Sequence, residues 1–374
     1  MQRENKIGAV VLAGGYSSRA QAFKPLLPLG EATIIEKSIG NFFRAGIDNV
    51  TVVVGHRADD LLPVLAALPV RSVYNDRYPE GMFSSVVAGV RSLTPETEAF
   101  FLLPVDMPLV RSHTIRLIYR AFTRMKGDIV YPVFNGRRGH PPLIATKLMP
   151  EITAGDMTQG LRPILAKYAA NAREIEVVDE GILLDADTPE DYRKLITYYG
   201  CRDIPSEAEC NEIFHRLRVS KQVAGHGRLV AEVAGKLATG LNKAGLRLDI
   251  PLLTAAGRLH DLAKGLPDHA GLGARLLKKL GYPKVAQVVG THHDSGYQAG
   301  ALPDEAAVLY LADKLVKNDC IVGIEERFQG PLAKYAADTE ALKAIEKRYR
   351  ATQEIAKAIE RISGVSVTNM ITAD

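Results

Sequence analysis

Residues 7–30 read Ile-Gly-Ala-Val-Val-Leu-Ala-Gly-Gly-Tyr-Ser-Ser-Arg-Ala-Gln-Ala-Phe-Lys-Pro-Leu-Leu-Pro-Leu-Gly. The apolar run at the start predicts a buried strand, which Gly14 and Gly15 break into a loop. Glycines allow several backbone N–H groups to face one ligand, and this arrangement suits phosphate oxygens. The spaced cations Arg19 and Lys24 could then neutralise a triphosphate. The stretch therefore predicts a nucleotide site, although it matches neither the Walker pattern nor Gly-x-Gly-x-x-Gly before a helix.

Strands and helices alternate through the rest of the first half. Apolar runs at 49–55 and 99–104 predict strands that are covered on both faces. Amphipathic segments at 33–45 and 82–92 predict helices between them. This alternation favours an α/β fold in which a mostly parallel sheet carries helices on both faces. Ligands of such folds bind at the carboxyl ends of the strands, where the glycine loop and Asp106 should both lie.

Carboxylates follow two of the predicted strands. Asp106 could hold Mg²⁺, because this ion takes one or two carboxylates beside nucleotide phosphates. It could equally be a helix N-cap, since Pro108 can open the next helix. Asp187 lies in the acidic string 185–191 before another helix. We expect Asp187 to be the N-cap of that helix as well as a metal ligand.

Two further loops carry polar residues. Gly81, Ser84 and Ser85 stand at a predicted helix start, where a polar or anionic ligand could bind, although an ordinary capped helix would look the same. Residues 136–142 collect two arginines, two glycines and His140 after a predicted strand. This loop is interpreted as an acceptor-binding loop, with a solvated β-turn as the alternative.

Five stretches of the first half together resemble the molybdenum cofactor cytidylyltransferase group of the nucleotidyltransferases: 12–30, 75–90, 103–109, 136–143 and 185–191. The resemblance implies a Rossmann-like domain over residues 1–200, CTP or GTP as donor and Mg²⁺ as cofactor. It also implies a phosphorylated pterin (molybdenum cofactor) as acceptor, pyrophosphate as product and a molybdoenzyme as recipient. By position, the resemblance assigns catalysis to Lys24, Arg19 and Asp106, and Mg²⁺ binding to Asp106 and Asp187. It assigns acceptor binding to Gly139 and His140. The residues that it assigns to nucleotide binding are Leu12, Ala13, Gly14, Gly15, Ser17, Arg19, Lys24, Ser84 and Ser85.

The identity of the base and of the acceptor stays open. Ala13-Gly14-Gly15 looks like the guanylyl form of the motif, because cytidylyl members tend to read Ala-Ala-Gly. The Glu-Gly-Met-x-x-Ser string from residue 80 and the Gly-His-Pro string from residue 139 favour cytidine instead. A sugar-phosphate nucleotidyltransferase is the alternative within the same class.

The second half has helical apolar spacing throughout. A linker at 201–218 is followed by a predicted all-α domain over 219–374. Five of the nine histidines fall within residues 226–293, far more than an even spread would place there. Imidazoles accompanied by the carboxylates of Asp261 and Asp313 favour a divalent metal such as Mn²⁺, Fe²⁺, Ni²⁺ or Zn²⁺.

The order of these residues resembles the HD superfamily of metal-dependent phosphohydrolases, over about residues 219–330. By that resemblance one metal binds His226, His260, Asp261 and Asp313, a second site is completed by His269, His292 and His293 with Asp261 bridging, and Lys264 stabilises the phosphate. The alternative is a nucleotide-sensing regulatory protein whose second domain does not turn over a substrate.

Net charge and cysteine content limit the classes of partner and the compartment expected for this chain. Lys plus Arg number 47 against 43 for Asp plus Glu, and a net charge of +4 is too small to indicate nucleic acid binding. No run approaches the roughly 20 apolar residues of a membrane span. Three cysteines without metal-type spacing are typical of a reducing cytosol, so we expect a cytoplasmic protein. Charged helices predicted over 325–361 could form a packing face, a homodimer face or a solvated surface.

Overall fold

The computed structural model describes residues 6–17, 22–294 and 296–372. The chain divides into two compact units, Met1–Gly200 and Cys201–Asp374. Residues 201–218, predicted above to be a linker, belong to the second unit. Among the described helices, none is both long enough and apolar enough to cross a lipid bilayer.

A mostly parallel sheet forms the centre of the first unit. The strands are β1 (Ile7–Ala13), β2 (Pro28–Leu29), β3 (Ala32–Thr33), β4 (Asn49–Val54), β5 (Arg71–Tyr74), β6 (Ala99–Pro104), β7 (Ile129–Phe134), β8 (Arg137–Arg138), β9 (Leu143–Ala145) and β10 (Ala172–Glu176). The spatial order is β10-β7-β9-β6-β1-β4-β5, with β8 paired to β7, and β2 and β3 form a separate ribbon. β1 pairs parallel with β4 and β6, whereas β9 runs antiparallel between β6 and β7. The predicted α/β architecture is confirmed, with β8 and β9 as the antiparallel exceptions.

Helices surround this sheet. They are α1 (Ile34–Ala45), α2 (Ala58–Ala66), α3 (Met82–Arg91), α4 (Ser112–Met125), α5 (Met149–Thr153), α6 (Arg162–Lys167) and α7 (Pro189–Gly200). α1 begins where it does because Thr33 and Glu36 form a capping box, in which each side chain accepts a hydrogen bond from the backbone N–H of the other residue. It ends at Gly46, which adopts the left-handed conformation that glycine tolerates best.

The register of the sheet places four strand ends at one edge. Ala13 lies opposite Val54, and Val54 lies opposite Tyr74. On the other side of β1, Leu12 lies opposite Pro104. The residues that follow these strands therefore share the carboxyl edge of the sheet, where ligands of such folds bind.

The second unit is helical, as predicted, with a short hairpin added. Its elements are α8 (Glu207–Arg216), α9 (Lys221–Lys243), α10 (Ile250–Leu259), α11 (His269–Leu280), α12 (Pro283–Gly290), α13 (Glu305–Lys314), β11 (Val316–Lys317), β12 (Cys320–Ile321), α14 (Ile324–Lys334), α15 (Thr339–Ser363) and α16 (Val367–Thr372). The antiparallel pair of β11 and β12 turns through Asn318, which has a positive φ of 58°. The apolar spacing did not predict this hairpin, because each strand is only two residues long.

α9 and α10 approach each other through glycines. A Cβ atom on Gly227 would lie 2.3 Å from the carbonyl oxygen of Arg258, and one on Gly257 would lie 2.6 Å from the Cα of Ala231. Both distances are shorter than van der Waals contact, so only glycine permits this spacing. Because His226 precedes Gly227 and α10 ends just before the next histidine, this contact holds two imidazoles of the second unit close together.

Candidate functional sites

A pocket of about 330 Å³ opens at the carboxyl edge of the sheet. The predicted residues that line it are Leu12, Ala13, Gly14, Gly15, Ser17, Lys24, Ser85, Asp106 and Asp187. Ser84, Gly139 and His140 are described but are not among its lining residues. Arg19, predicted to contact the nucleotide phosphates, lies outside the described residues. The structure therefore brings the glycine loop and both predicted Mg²⁺ carboxylates to one cavity.

Lys24 lies between the two carboxylates of this pocket. Its Nζ is 2.9 Å from Asp106 Oδ2 and 2.6 Å from Asp187 Oδ1. Burial alone would lower the pKa of Lys24, but the hydrogen bonds to Asp187 and Asp106 raise it above its ordinary value. A buried ammonium group needs such partners in the absence of an anionic ligand. Since both carboxylate oxygens converge on one positive charge, the pair also fits a divalent cation that prefers oxygen ligands.

Neither carboxylate is a helix cap. Thr188, not Asp187, caps α7, because the Thr188 hydroxyl accepts a hydrogen bond from the backbone N–H of Asp191 and donates one to its carboxylate. The predicted N-cap role of Asp187 is therefore wrong. The alternative interpretation of Asp106 as a cap is wrong as well, since α4 has Arg111 as its N-cap. Nearby, burial and the charges of Asp187 and Asp106 raise the pKa of Asp185.

Asn75 organises the two serines at the start of α3. Its side-chain amide donates hydrogen bonds to Ser84 Oγ at 2.8 Å and to Ser85 Oγ at 3.0 Å. Ser84 in turn donates to backbone carbonyls, so its hydroxyl serves the local turn. Ser85 lines the pocket, and its Oγ would lie 3.1 Å from a Cβ atom built on Gly14. An alanine at position 14 would therefore press on this hydroxyl.

Two tyrosines at the pocket were missed from the sequence. Tyr16, which is 52% exposed, and Tyr78 both line the cavity. Their ring centroids lie 5.5 Å apart in an edge-on arrangement, and the ring of His56 lies 4.9 Å from that of Tyr16. Tyr16 follows Gly15 directly, and this position was the one available signal. The loop thus offers aromatic surface as well as backbone N–H groups.

The loop predicted to bind the acceptor packs against a turn of its own unit. The His140 N–H donates to the carbonyl oxygen of Ile182 at 2.9 Å, and a Cβ atom on Gly139 would lie 2.5 Å from that oxygen. Burial lowers the pKa of His140, and its Nδ1 is buried without a hydrogen-bond partner among the described residues. Gly139 is thus required for packing, and His140 keeps one unused polar atom.

In the second unit, Asp261 joins two groups of histidines. Asp261 Oδ2 lies 3.9 Å from His226 Nε2 and 3.5 Å from His260 Nε2. The same two Nε2 atoms lie 3.2 and 3.5 Å from Asp313 Oδ1. These four residues are all at least nine-tenths buried. Two imidazole nitrogens and two carboxylates therefore surround one position, as the first predicted metal site requires.

The other oxygen of Asp261 faces the second group. Asp261 Oδ1 lies 3.2 Å from His269 Nε2 and 3.7 Å from His292 Nε2. His293 Nε2 lies 2.8 Å from His269 Nε2, so all three histidines converge. Because one carboxylate presents each of its oxygens to a different group, the donors fit two neighbouring metal ions as well as one.

Backbone carbonyls orient three of these imidazoles. Nδ1 of His226, His260 and His292 lies 2.9, 2.8 and 2.7 Å from the carbonyl oxygens of Asn318, Gly257 and Val289 respectively. An Nδ1–H that donates to a carbonyl leaves the Nε2 lone pair for a metal. Nε2 of His260 and of His292 is buried and has no hydrogen-bond partner among the described residues. These unsatisfied nitrogens support a metal centre over an ordinary polar core.

Comparisons with known proteins divide the chain in the same way. Residues 9–172 match the MobA-like NTP transferase domain, and residues 223–318 match the HD domain. The chain joins a MobA-like NTP transferase domain to an HD domain.

Individual relatives cover the NTP transferase domain. The Escherichia coli protein named molybdenum cofactor cytidylyltransferase is 29% identical over 188 residues, which are 50% of this chain and 93% of that protein. A Rubrobacter xylanophilus protein named bifunctional IPC transferase and DIPP synthase is 35% identical over 133 residues, 34% of this chain and 29% of that protein. A solved structure of a nucleotidyl transferase from Methanothermobacter aligns over 53% of this chain and 100% of the other chain, with 25% sequence identity and a TM-score of 0.47.

The electrostatics of the HD domain favour charged carboxylates. Burial would raise the pKa of Asp261, yet the neighbouring imidazole of His260 and the contact with Lys264 hold it well below its ordinary value. The charge of Lys314 does the same for Asp313. Burial would lower the pKa of His260, but the two carboxylates raise it to about 9. Burial lowers the pKa of His292 to about 3, so this imidazole stays neutral and able to bind a metal near pH 7.

A larger pocket of the second unit lies away from the metal donors. It has a volume of about 850 Å³ and runs along α9. Lys236, Thr239 and Arg258 line it together with Met370 of α16, and its lining includes none of the predicted donors. The donor chemistry, and not the cavity volume, therefore identifies the candidate site of the HD domain.

Proposed function

We propose that the NTP transferase domain transfers CMP, or GMP, from a nucleoside triphosphate to molybdenum cofactor or a related phosphorylated acceptor. An acceptor phosphate oxygen forms the new bond to the α-phosphorus, and the bond to pyrophosphate breaks. The observation that carries the proposal is the arrangement of Lys24, Asp106 and Asp187 beside the glycine loop. Similarity to a relative that is named for this cytidylyl transfer supports the choice of acceptor.

Each residue of the pocket has a proposed role. Asp106 and Asp187 would hold Mg²⁺, which when bound neutralises charge on the nucleotide phosphates. Lys24 would then leave the carboxylates and donate to a phosphate oxygen, because the incoming cation replaces its charge. The N–H groups around Gly14 and Gly15 would bind further phosphate oxygens. Positioning and charge neutralisation are sufficient for in-line phosphoryl chemistry, and no covalent group on the protein is needed.

The limited space between Gly14 and Ser85 bears on the choice of base. Gly14→Ala would restore the Ala-Ala-Gly string typical of cytidylyl members, at the cost of crowding Ser85 Oγ. If Ser85 contacts the base, this variant changes the ratio of CTP to GTP turnover. An unchanged ratio would remove Ser85 from base selection.

Pyrophosphate release across CTP and GTP, each offered with molybdenum cofactor or with a sugar phosphate, tests the proposal. We expect release with molybdenum cofactor and its loss in Asp106→Ala. Asp48→Ala is the control, because Asp48 is exposed and lies outside the pocket. Near-wild-type turnover by Asp106→Ala would refute the metal assignment, and release with sugar phosphates alone would favour the alternative transferase.

We further propose that the HD domain is a metal-dependent phosphohydrolase or phosphodiesterase that uses Mn²⁺, Fe²⁺, Ni²⁺ or Zn²⁺. Four histidines lie within 4.0 Å of Asp261 or Asp313, and His293 contacts one of them, His269; this convergence supports the proposal. Asp261→Asn should reduce metal content at both groups, whereas Asp268→Asn, at an exposed cap of α11, should not. Elemental analysis of the gel-filtered chain measures this difference.

Chromatographic analysis of the products formed with Mn²⁺ from a panel of nucleotides and phosphodiesters separates hydrolysis from sensing. Hydrolysis that disappears in Asp261→Asn supports the proposal. Full metal content without hydrolysis of any substrate would favour the nucleotide-sensing alternative.

A further inference from the structure

The metal donors of the HD domain open into a pocket of about 250 Å³ whose outer wall is built by later helices. α14 contributes Arg327, Phe328 and Pro331, and α15 contributes Ile345 and Arg348. Both helices begin beyond residue 318, where the match to the HD domain ends. This wall is therefore built by residues outside the match to the HD domain, beside donors that lie within it.

The lysines of the pocket are already paired. Lys264 Nζ lies 2.7 Å from Asp261 Oδ2, and Lys314 Nζ donates to Asp313 Oδ2. These two positive charges thus offset the two carboxylates of the donor set. They leave little positive charge for a ligand when the site is free of metal.

The arginines of the wall are not paired. Within the part of the chain that the structure describes, the guanidinium groups of Arg327 and Arg348 have no hydrogen bond and no carboxylate within 4.0 Å. Arg350, two residues further along α15, differs because its guanidinium lies 3.7 Å from Glu346. The pocket thus carries two guanidinium groups without a directly bonded carboxylate, and an anion in the pocket can pair with them.

We propose that Arg327 and Arg348 bind the second phosphate of a phosphoanhydride while the first lies against the donor cluster. This inference rests on the hydrolase activity proposed above and specifies the substrate of that activity. The substrate is a pyrophosphoryl group, either free pyrophosphate or the end of a nucleotide. Guanidinium groups bind phosphate oxygens through two parallel hydrogen bonds. The volume is at the lower end of the roughly 300–1,000 Å³ of small-molecule sites, which suits a compact polyanion.

The reaction balances as a hydrolysis. The oxygen of water forms a bond to the phosphorus at the donor cluster, and the bond from that phosphorus to the bridging oxygen breaks. The bridging oxygen leaves with the phosphate that the arginines hold, and the two protons of water divide between the two phosphate products. If the substrate is free pyrophosphate, it is the by-product of the transfer proposed for the first domain, and its removal would draw that transfer forward.

A single tryptophan can report binding in this pocket alone. The chain contains no tryptophan, and the ring of Tyr349 on α15 lies 5.2 Å from that of Phe328 in the pocket wall. Tyr349→Trp therefore places one fluorophore beside the proposed site. The ligands are methylenediphosphonate, whose bridge cannot be hydrolysed, and inorganic phosphate. Titration of the EDTA-treated and the Mn²⁺-saturated protein measures binding without activity, so its outcome is independent of whether the HD domain hydrolyses anything.

We expect methylenediphosphonate to bind at least about tenfold more tightly than phosphate. In the Tyr349→Trp background, Arg327→Gln and Arg348→Gln should each weaken diphosphonate binding by about tenfold and change phosphate binding little. Arg350→Gln is the matched control and should bind as the parent does. A parallel titration with α,β-methylene-ADP distinguishes the two sources, since tighter binding than methylenediphosphonate indicates a nucleotide end and weaker binding indicates free pyrophosphate.

Equal affinity for methylenediphosphonate and phosphate would overturn the proposal. So would glutamine variants at 327 and 348 that bind diphosphonate as well as Arg350→Gln does. Circular dichroism melts of all variants identify any loss that comes from unfolding.

Discussion

Replacing Gly227 with alanine tests whether the close contact of α9 with α10 sets the geometry of the metal centre. The new Cβ would lie 2.3 Å from the carbonyl oxygen of Arg258. Carbon and carbonyl oxygen normally approach to about 3.3 Å, so the helices must separate by about 1 Å. His226 lies next to this contact and His260 follows Arg258 by two residues. The same displacement therefore moves the two imidazoles apart.

The cost of this substitution follows from two opposing effects. Alanine is favoured over glycine in a helix by about 1 kcal/mol. Overpacking costs about 1–3 kcal/mol, and we expect the upper end because the obstructing atom is backbone and cannot rotate away. The net destabilisation is about 2 kcal/mol. For a domain of 150–250 residues this lowers the melting temperature by about 4–8 °C.

Gly235→Ala is the matched control in the same helix. A Cβ there would meet only Thr254 Oγ1, at 3.8 Å, so we expect a gain of up to about 1 kcal/mol from helix propensity. Thermal unfolding followed by circular dichroism gives the stability, and calorimetric titration with Mn²⁺ gives the metal affinity. If Gly227→Ala melted no lower than Gly235→Ala and bound Mn²⁺ like the wild type, the contact would have no bearing on the centre.

Burial raises the pKa of the Cys210 thiol to about 12, whereas Cys201 and Cys320 are exposed. Iodoacetamide at pH 8 should therefore modify two thiols of the native chain and a third only in denaturant, as counted by mass spectrometry; rapid native modification of all three would contradict this. Hydrogen bonds from Thr33 lower the pKa of Glu36, so the contact stabilises α1 above the carboxyl pKa of the unfolded chain and is lost as pH falls through the lower folded value. Glu36→Ala should then cost about 1 kcal/mol at pH 7 and less at pH 3 in urea titrations, and an equal cost at both pH values would rule this out.

Local sequence patterns were sufficient to predict the strands and helices that position the pocket of the first unit. The apolar run at 99–104 coincides with β6, because a strand buried on both faces needs uninterrupted apolar residues. The prediction that Asp187 caps α7 was wrong because Asp187 and Thr188 are adjacent and both are good N-cap residues. Tertiary structure decided between them, since Asp187 contacts Lys24, which lies 163 residues away in the chain.

Site residues could be predicted from the sequence where their residue types form a rare pattern, and were missed where the pattern is common. Clustered histidines are rare, so the donors around Asp261 stood out in the sequence. Arg327 and Arg348 did not, because arginines on charged helices are common and only the packing of α14 and α15 brings these two to the donors. Tyr16 and Tyr78 were missed for the same reason, since 62 positions separate them in the chain and only the fold makes them neighbours.

Asn75 controls the polarity of a pocket that it does not line. Its amide donates to Ser85, so the serine oxygen is the acceptor in this contact and its own proton remains for another partner, such as a ligand in the cavity that Ser85 lines. An aspartate at position 75 would reverse this relay, because Ser85 would then donate to the carboxylate and present lone pairs to the ligand. One buried side chain behind the wall thus sets whether the cavity offers a hydrogen or accepts one.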